Sequence, residues 1–253
     1  MIIIKTPEQI EGIRLASRLT ADVLEMITPF VVAGVNTQEL DERMNTFIIN
    51  ELGAISACIG YHGYPKYTCI SVNHVICHGI PSLTKILKNG DILNIDVSII
   101  KNSYFGDTSR MFGIGRVPIM AQKLVDVTYE CMMLGIEAVK PNAPFNDIGI
   151  AIQKHAQKHN FSVVRDFCGH GVGVAFHEDP QVMHYDSKQS TDIMQEGMIF
   201  TIEPMINVGK YHSKVLADGW TAVTKDHSLS AQWEHAVLVT ATGYEILSLP
   251  SKL

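Results

Sequence analysis

Two aspartates stand in segments whose neighbours are apolar. Across 92–100 the residues alternate with period two, so Leu93, Ile95, Val97 and Ile99 face one side of a strand and Asn94, Asp96 and Ser98 the other. Asp107 lies in Tyr104-Phe105-Gly106-Asp107-Thr108-Ser109-Arg110-Met111-Phe112, a return strand beyond a turn at Lys101-Asn102-Ser103. A hairpin centred on that turn sets Asp96 opposite Asp107 on one face. Facing carboxylates repel, and burying them is costly unless cations compensate. The second half holds three more hard-ligand candidates. These are His170 in Gly169-His170-Gly171-Val172-Gly173, Glu203 in the apolar run 198–206, and Glu234 in the run 232–239. Taken singly, a histidine is more often an ordinary hydrogen-bonded residue, and a buried acid often pairs with arginine. Together, with few basic partners nearby, four carboxylates and one imidazole suit two divalent cations, the anionic oxygens offsetting about four positive charges. The glycine stretch is a poor phosphate loop, since it lacks both the G-x-G-x-x-G spacing after a strand and Gly-Lys-Ser/Thr.

These residues need a scaffold. Thr6-Pro7-Glu8-Gln9 reads as a capping box with proline at the first helical position, followed by Ile10, Ile13, Ala16, Val23, Leu24 and Ile27 at helical spacing. A second helix begins near Asn36 and Thr37, carries Leu40, Met44, Phe47, Ile48 and Leu52, and stops at Gly53. Strands are expected near 54–60, 67–71, 92–100 and 104–114. The second half repeats the order, with helices at about 118–139 and 145–159 and strands near 161–166, 197–206, 219–224 and 232–240. The helix openings align at an offset of 108, Gly34-Val35 against Asn142-Ala143 and Glu39-Leu40 against Asp147-Ile148. This order predicts one domain of two similar halves, about 1–114 and 115–253, building one sheet with helices on one side and a cleft along the shared axis.

Composition bounds the function. The chain has 253 residues, with 20 Lys and Arg against 26 Asp and Glu, a net charge of -6. That balance gives no support to a nucleic-acid or anionic-membrane partner held by bulk charge. Cys58, Cys69, Cys77, Cys131 and Cys168 contain no C-x-x-C pair and form an odd set, which favours reduced thiols in a cytosolic protein. Ile2-Ile3-Ile4 before Lys5 is too short for a signal-peptide core, and no apolar run spans a bilayer. Ser251-Lys252-Leu253 matches a peroxisomal address formally, a tripeptide that also recurs by chance.

Read together, the motifs resemble the type I methionine aminopeptidases over nearly the whole length. The resemblance rests on Gly60-Tyr61-His62-Gly63-Tyr64-Pro65, Cys77-His78-Gly79-Ile80-Pro81, Asn94-Ile95-Asp96-Val97, Gly106-Asp107-Thr108-Ser109 and Gly169-His170-Gly171-Val172-Gly173. It continues through Phe176-His177-Glu178-Asp179-Pro180, Phe200-Thr201-Ile202-Glu203-Pro204 and Ala231-Gln232-Trp233-Glu234-His235. It implies an α+β, pita-bread fold with two pseudo-symmetric halves and a curved antiparallel sheet covered by helices. It also implies a dinuclear-metal aminopeptidase that removes the initiator methionine from nascent polypeptides with a small second residue, by attack of a metal-bridging hydroxide on the first peptide bond. By the same resemblance Asp107 and Glu234 bridge the metals, Asp96 chelates one, and His170 with Glu203 completes the other. The metals are Mn, Fe, Co or Zn. Glu203 carries the proton, His177 steadies the carbonyl oxygen, and His78 contacts the scissile amide. Cys58, Tyr61, Tyr64, Cys69, Phe176 and Trp220 line the methionine pocket. Backbone oxygens of Asn73, Val75 and Ser230 hold a monovalent cation, beside a departure from the family pattern, since His74 stands where glutamate is frequent. The short spacing from Glu203 to Glu234 leaves no room for the helical insertion of type II enzymes, so a compact bacterial-type enzyme, or an organellar relative, fits best; the resemblance further implies a cytoplasmic monomer with transient ribosome association. An X-Pro aminopeptidase or prolidase, and a non-catalytic protein-binding platform on the same fold, are the alternatives.

Overall fold

The structure, a computed structural model, describes residues 1–188 and 192–251; Lys252 and Leu253 of the C-terminal tripeptide lie outside the described residues. Helix α1 (Pro7–Ile27) opens on the expected capping box: the Thr6 hydroxyl accepts from the Gln9 N–H, and the Gln9 side chain accepts from the Thr6 N–H. Its apolar stripe buries Ile13, Ala16, Val23, Leu24 and Ile27. Helix α2 (Thr37–Asn50) is capped by the Asn36 side chain, which accepts from the Glu39 N–H. Strands β1 (Ile55–Ser56), β2 (Cys69–Val72), β3 (Val75–Cys77), β4 (Ile92–Lys101) and β5 (Tyr104–Gly113) complete the first half. The second half holds α3 (Ile119–Glu137), α4 (Asn146–Lys158), β6 (Ser162–Val163), β7 (Gly169–Gly171), β8 (Glu178–Val182), β9 (Ile199–Ile202) and β10 (Met205–Asn207). It closes with β11 (Ser213–Val215), β12 (Ala222–Thr224), β13 (Ser230–Gln232), β14 (His235–Val239) and β15 (Tyr244–Ile246).

The β4–β5 hairpin seats Asp96 and Asp107. Asn102 and Ser103 both adopt left-handed backbone, at φ 51° and 69°, the requirement of a two-residue type I′ turn. Lys101 therefore pairs with Tyr104, Ser98 with Asp107, and Asp96 with Ser109. The expected face-to-face placement of Asp96 and Asp107 is corrected: they share a face but stand diagonally, because the turn is centred between Asn102 and Ser103, one position later than face-to-face pairing requires. Gly106 lets α1 rest directly on β5, since a Cβ there would sit 2.4 Å from the carbonyl carbon of Ala16.

In place of one continuous sheet, the strands among the described residues form four antiparallel sheets. β1, β2 and β5 all join β4; the others run β15-β14-β9-β7-β8, β13-β10-β6 and β11-β12-β3. Two runs expected as single strands break at a glutamate. The chain leaves β9, which pairs with β14, at Ile202 and resumes in β10, which pairs with β13, at Met205. The other run passes from β13 to β14 across Trp233-Glu234. Both segments thus change ladder at Glu203 and Glu234, and Pro204 has no N–H to continue a ladder.

The internal repeat reappears in the backbone bonding. The Gly34 N–H donates to Leu87 O (2.9 Å) as the Asn142 N–H does to Met194 O (2.8 Å). Leu87 returns a bond to Val35 as Met194 does to Ala143, both at 2.9 Å. Gly34 and Asn142 share positive φ, 94° and 68°. Leu87 and Met194 are 107 positions apart, and so are Asp96 and Glu203, so these two acids occupy corresponding places in the halves. One apolar core lies under α1 and α2 against β4, and a larger one under α3 and α4 around Phe145 and Phe200.

Candidate active site

Strands of both halves deliver acidic side chains to one cavity of about 710 Å³. β4 contributes Asp96, β5 Asp107, β7 His170, and the two ladder changes Glu203 and Glu234; all five line the cavity. No lysine or arginine is among the lining residues. One ligand atom from each of Asp107, His170 and Glu234 falls within 4.8 Å of the others. His170 Nε2 stands 3.6 Å from Asp107 Oδ2 and 3.6 Å from Glu203 Oε1, too far for hydrogen bonds. Its Nδ1 lies 3.0 Å from the Gly171 carbonyl oxygen, a contact that fixes the N–H there and turns the Nε2 lone pair towards the acids.

Neutral donors hold the carboxylates in place. Glu203 accepts from the Thr201 hydroxyl at Oε1 (2.7 Å) and from the Gln232 amide at Oε2 (3.0 Å). Its backbone N–H donates to His184 Nε2 at 3.1 Å. Asp107 Oδ1 accepts from the Ser98 hydroxyl at 2.8 Å. The Thr108 hydroxyl donates to the Glu234 carbonyl at 2.7 Å, and the Asn94 amide bridges Ser109 Oγ and the Gln232 carbonyl. Thr201, Gln232 and His184 were not singled out from sequence. A signal existed for the first two: each precedes a glutamate by two positions, the spacing that shares a strand face.

The charge is uncompensated. Burial pushes Asp96 up to about 7 and Glu203 up to about 8. Asp107 and Glu234 are driven well above the usual carboxylate range, first by burial and then by the neighbouring acids. Burial also drives His170 down to about 4. Asp96 Oδ1 is buried without a hydrogen-bond partner among the described residues. Four buried carboxyls with raised proton affinity, an oxygen without a partner among the described residues and an imidazole with its lone pair inward are the donor set a pair of divalent cations satisfies, so the residues present fit such ions.

Beside the acids the cavity turns apolar. Tyr61 stacks on His177 (centroids 5.1 Å apart) and meets Phe176 edge-on (4.8 Å). Tyr64 meets Trp220 edge-on at 5.1 Å, and its hydroxyl reaches the Thr68 and Gly79 carbonyls. Cys58 and Cys69 are buried in the same cluster. His78, held at φ 56°, lies edge-on to Phe167 and Trp220. All eight residues assigned to substrate by resemblance therefore line the cavity, together with Asp166, Phe167, Glu178 and Asp179, to which the sequence reading gave no role. Asn73, Val75 and Ser230 lie elsewhere. The Ser230 N–H donates to Asn73 O at 2.9 Å, Val75 pairs with Val223, and the His74 ring faces His227 at 5.6 Å.

The sequence model of metallopeptidase family M24 matches residues 11–241. The methionine aminopeptidase of Escherichia coli K12 is 55% identical over 248 residues, covering 98% of this chain and 94% of the relative. The crystal structure of methionine aminopeptidase from Rickettsia prowazekii superposes with a TM-score of 0.95 at 48% identity, covering 98% of this chain and 100% of that one. The prolidase from Pyrococcus furiosus, at 22% identity, has a TM-score of 0.76 over 99% of this chain and 66% of its own; that likeness shows the fold alone.

Proposed function

The chain belongs to metallopeptidase family M24, and from that premise we propose that it is a dinuclear methionine aminopeptidase, removing the initiator methionine from polypeptides whose second residue is small. Asp96, Asp107, His170, Glu203 and Glu234 would together hold the two divalent ions, with Asp107 and Glu234 the proposed common ligands. When bound, the ions supply a water activated near neutral pH and a polarised carbonyl. Mn, Fe, Co and Zn all suit this oxygen-rich set with one imidazole. A monovalent cation at the Asn73, Val75 and Ser230 backbone is a further part of the proposal.

The remaining work falls to the protein. Glu203, whose burial raises its proton affinity, takes the proton of the attacking water and passes it to the leaving amine. His177, kept neutral by burial that lowers it to about 3, steadies the carbonyl oxygen, and His78 contacts the scissile amide. The methionine side chain enters between Cys58, Cys69, Tyr61, Tyr64, Phe176 and Trp220, where thiols and aromatic rings offer a soft apolar wall. No described helix is long and apolar enough to cross a membrane. A cytoplasmic monomer that meets nascent chains, with transient ribosome association, is the setting we infer.

The observation that carries this reading is the convergence of four uncompensated carboxylates and His170 on a cavity that turns apolar beside them. Purified protein with a divalent metal, offered Met-Ala-Ser and an X-Pro peptide in parallel, tests it. Release of free methionine from the first alone supports the assignment. Preference for the X-Pro peptide transfers the chain to the prolidase branch, and cleavage of neither leaves only a binding platform.

A further inference from the structure

We infer that Glu130, His155 and His159 form a separate site for a single imidazole-seeking divalent transition-metal ion, outside the catalytic cavity. None of the three lines that cavity. His155 lies on α4 and His159 is the residue that closes it, one helical turn later, so the two imidazoles share a face. Their ring centroids are 4.8 Å apart. Glu130 comes from α3, which packs along α4, and its Oε2 is 2.6 Å from His155 Nε2. One ligand atom from each of the three lies within 4.8 Å of the others.

The geometry is close to what a metal needs. A tetrahedral ion with N and O bonds of about 2.1 Å holds its ligand atoms roughly 3.4 Å apart. Here the Glu130–His155 contact has to open slightly and His159 to close slightly, both by side-chain rotation of an exposed glutamate and partly buried imidazoles. Two histidines at i and i+4 are a spacing proteins use to grip zinc from one helix face. An open cleft bounded by Gln122, Lys123, Asp126, Glu130 and His159 leaves the fourth position to water.

Charge and donor type narrow the occupant. The last turn of α4 presents carbonyl ends, which favour a cation, and Asp126 adds a carboxylate to the cleft. Lys123 and Lys158 oppose it, but the Lys123 ammonium is held over the Phe161 ring, 5.5 Å from its centroid. Two imidazoles and one carboxylate select zinc, nickel or copper over magnesium or calcium. A simple surface ion pair accounts for Glu130 with His155; it gives no role to His159 on the same face. Occupied, the site ties the end of α4 to α3.

Equilibrium dialysis against micromolar free zinc tests this, on wild-type protein, the His155→Gln/His159→Gln double variant and Glu130→Gln, with side-chain NMR signals of the histidines followed in the wild type. The expected result is one zinc equivalent fewer in the double variant, binding about tenfold weaker in Glu130→Gln, and shifted His155 and His159 signals in the wild type. Peptidase activity stays equal in all three, which also reports that the variants are folded. Equal zinc content in the three proteins with both imidazole signals unmoved overturns the site.

Discussion

Glu203 is gripped at both carboxylate oxygens, by Thr201 and by Gln232, and such supporting bonds set ligand orientation. Thr201→Val removes one grip with little change in volume, so the divalent-metal dependence of activity should shift to roughly tenfold higher metal concentration; an unmoved titration curve contradicts the role. Asp107→Ala, at the ligand proposed to be shared, should abolish peptide cleavage while circular dichroism stays native, and near-normal turnover at saturating metal would refute the assignment. The raised acids also set a pH dependence for metal-free protein. Asp96 and Glu203 are pushed up to about 7 and about 8, so the folded state binds more protons than the unfolded chain until pH passes those values. His170, His177, His184 and His235 are lowered to about 4, 3, 3 and 4, and act in the opposite sense until the unfolded imidazoles have lost their protons. From about one pH unit above the ordinary histidine value the carboxyls dominate, so between about pH 7.5 and 8.5 the melting temperature of metal-stripped protein should fall. Added divalent metal should reverse that fall, and a flat or rising profile without metal speaks against buried, uncompensated acids. The acids were legible in sequence because each interrupts an apolar run. Thr201 and Gln232 were not, since a polar residue on a strand looks the same whether it faces water or a ligand.

At the scale of elements, caps and turns carried the most information. Thr6 with Gln9 and Asn36 with Glu39 mark two helix starts by hydrogen bonds that depend only on local sequence. The diagonal placement of Asp96 and Asp107 was missed because it depends on the position at which the turn is centred, which left-handed Asn102 and Ser103 set one residue later than face-to-face pairing requires. The ladder changes at Glu203 and Glu234 were missed as well: an apolar run cannot reveal that its two ends pair with different neighbours. Strands of two or three residues such as β6 and β7 are too short for any period to show. The contact of α1 with β5 is testable at Gly106, whose added methyl would meet α1 backbone. Gly106→Ala should cost about 2 kcal/mol or more in a denaturant midpoint and weaken metal binding through its neighbour Asp107. Wild-type stability and metal affinity in that variant would show that α1 is free to move away.

Over the whole molecule, the offset of 108 read from two helix openings recurs in paired backbone bonds, and its continuation at 107 from Leu87 to Met194 places Asp96 and Glu203 in corresponding positions. What the repeat could not show is how the halves are joined. Ile13 of α1, in the first half, packs with Val172, Ile199, Leu238 and Leu247 of the second, and the cavity draws ligands from both. Folding as a single domain then predicts one cooperative thermal transition, with coincident fluorescence and circular dichroism curves; two resolved transitions would separate the halves. The central claim, that these five side chains grip two divalent ions, is reached most directly by anomalous diffraction from crystals grown with manganese. The account predicts two anomalous peaks enclosed by Asp96, Asp107, His170, Glu203 and Glu234, whereas a cavity without a peak, under conditions in which the enzyme cleaves Met-Ala-Ser, would contradict it.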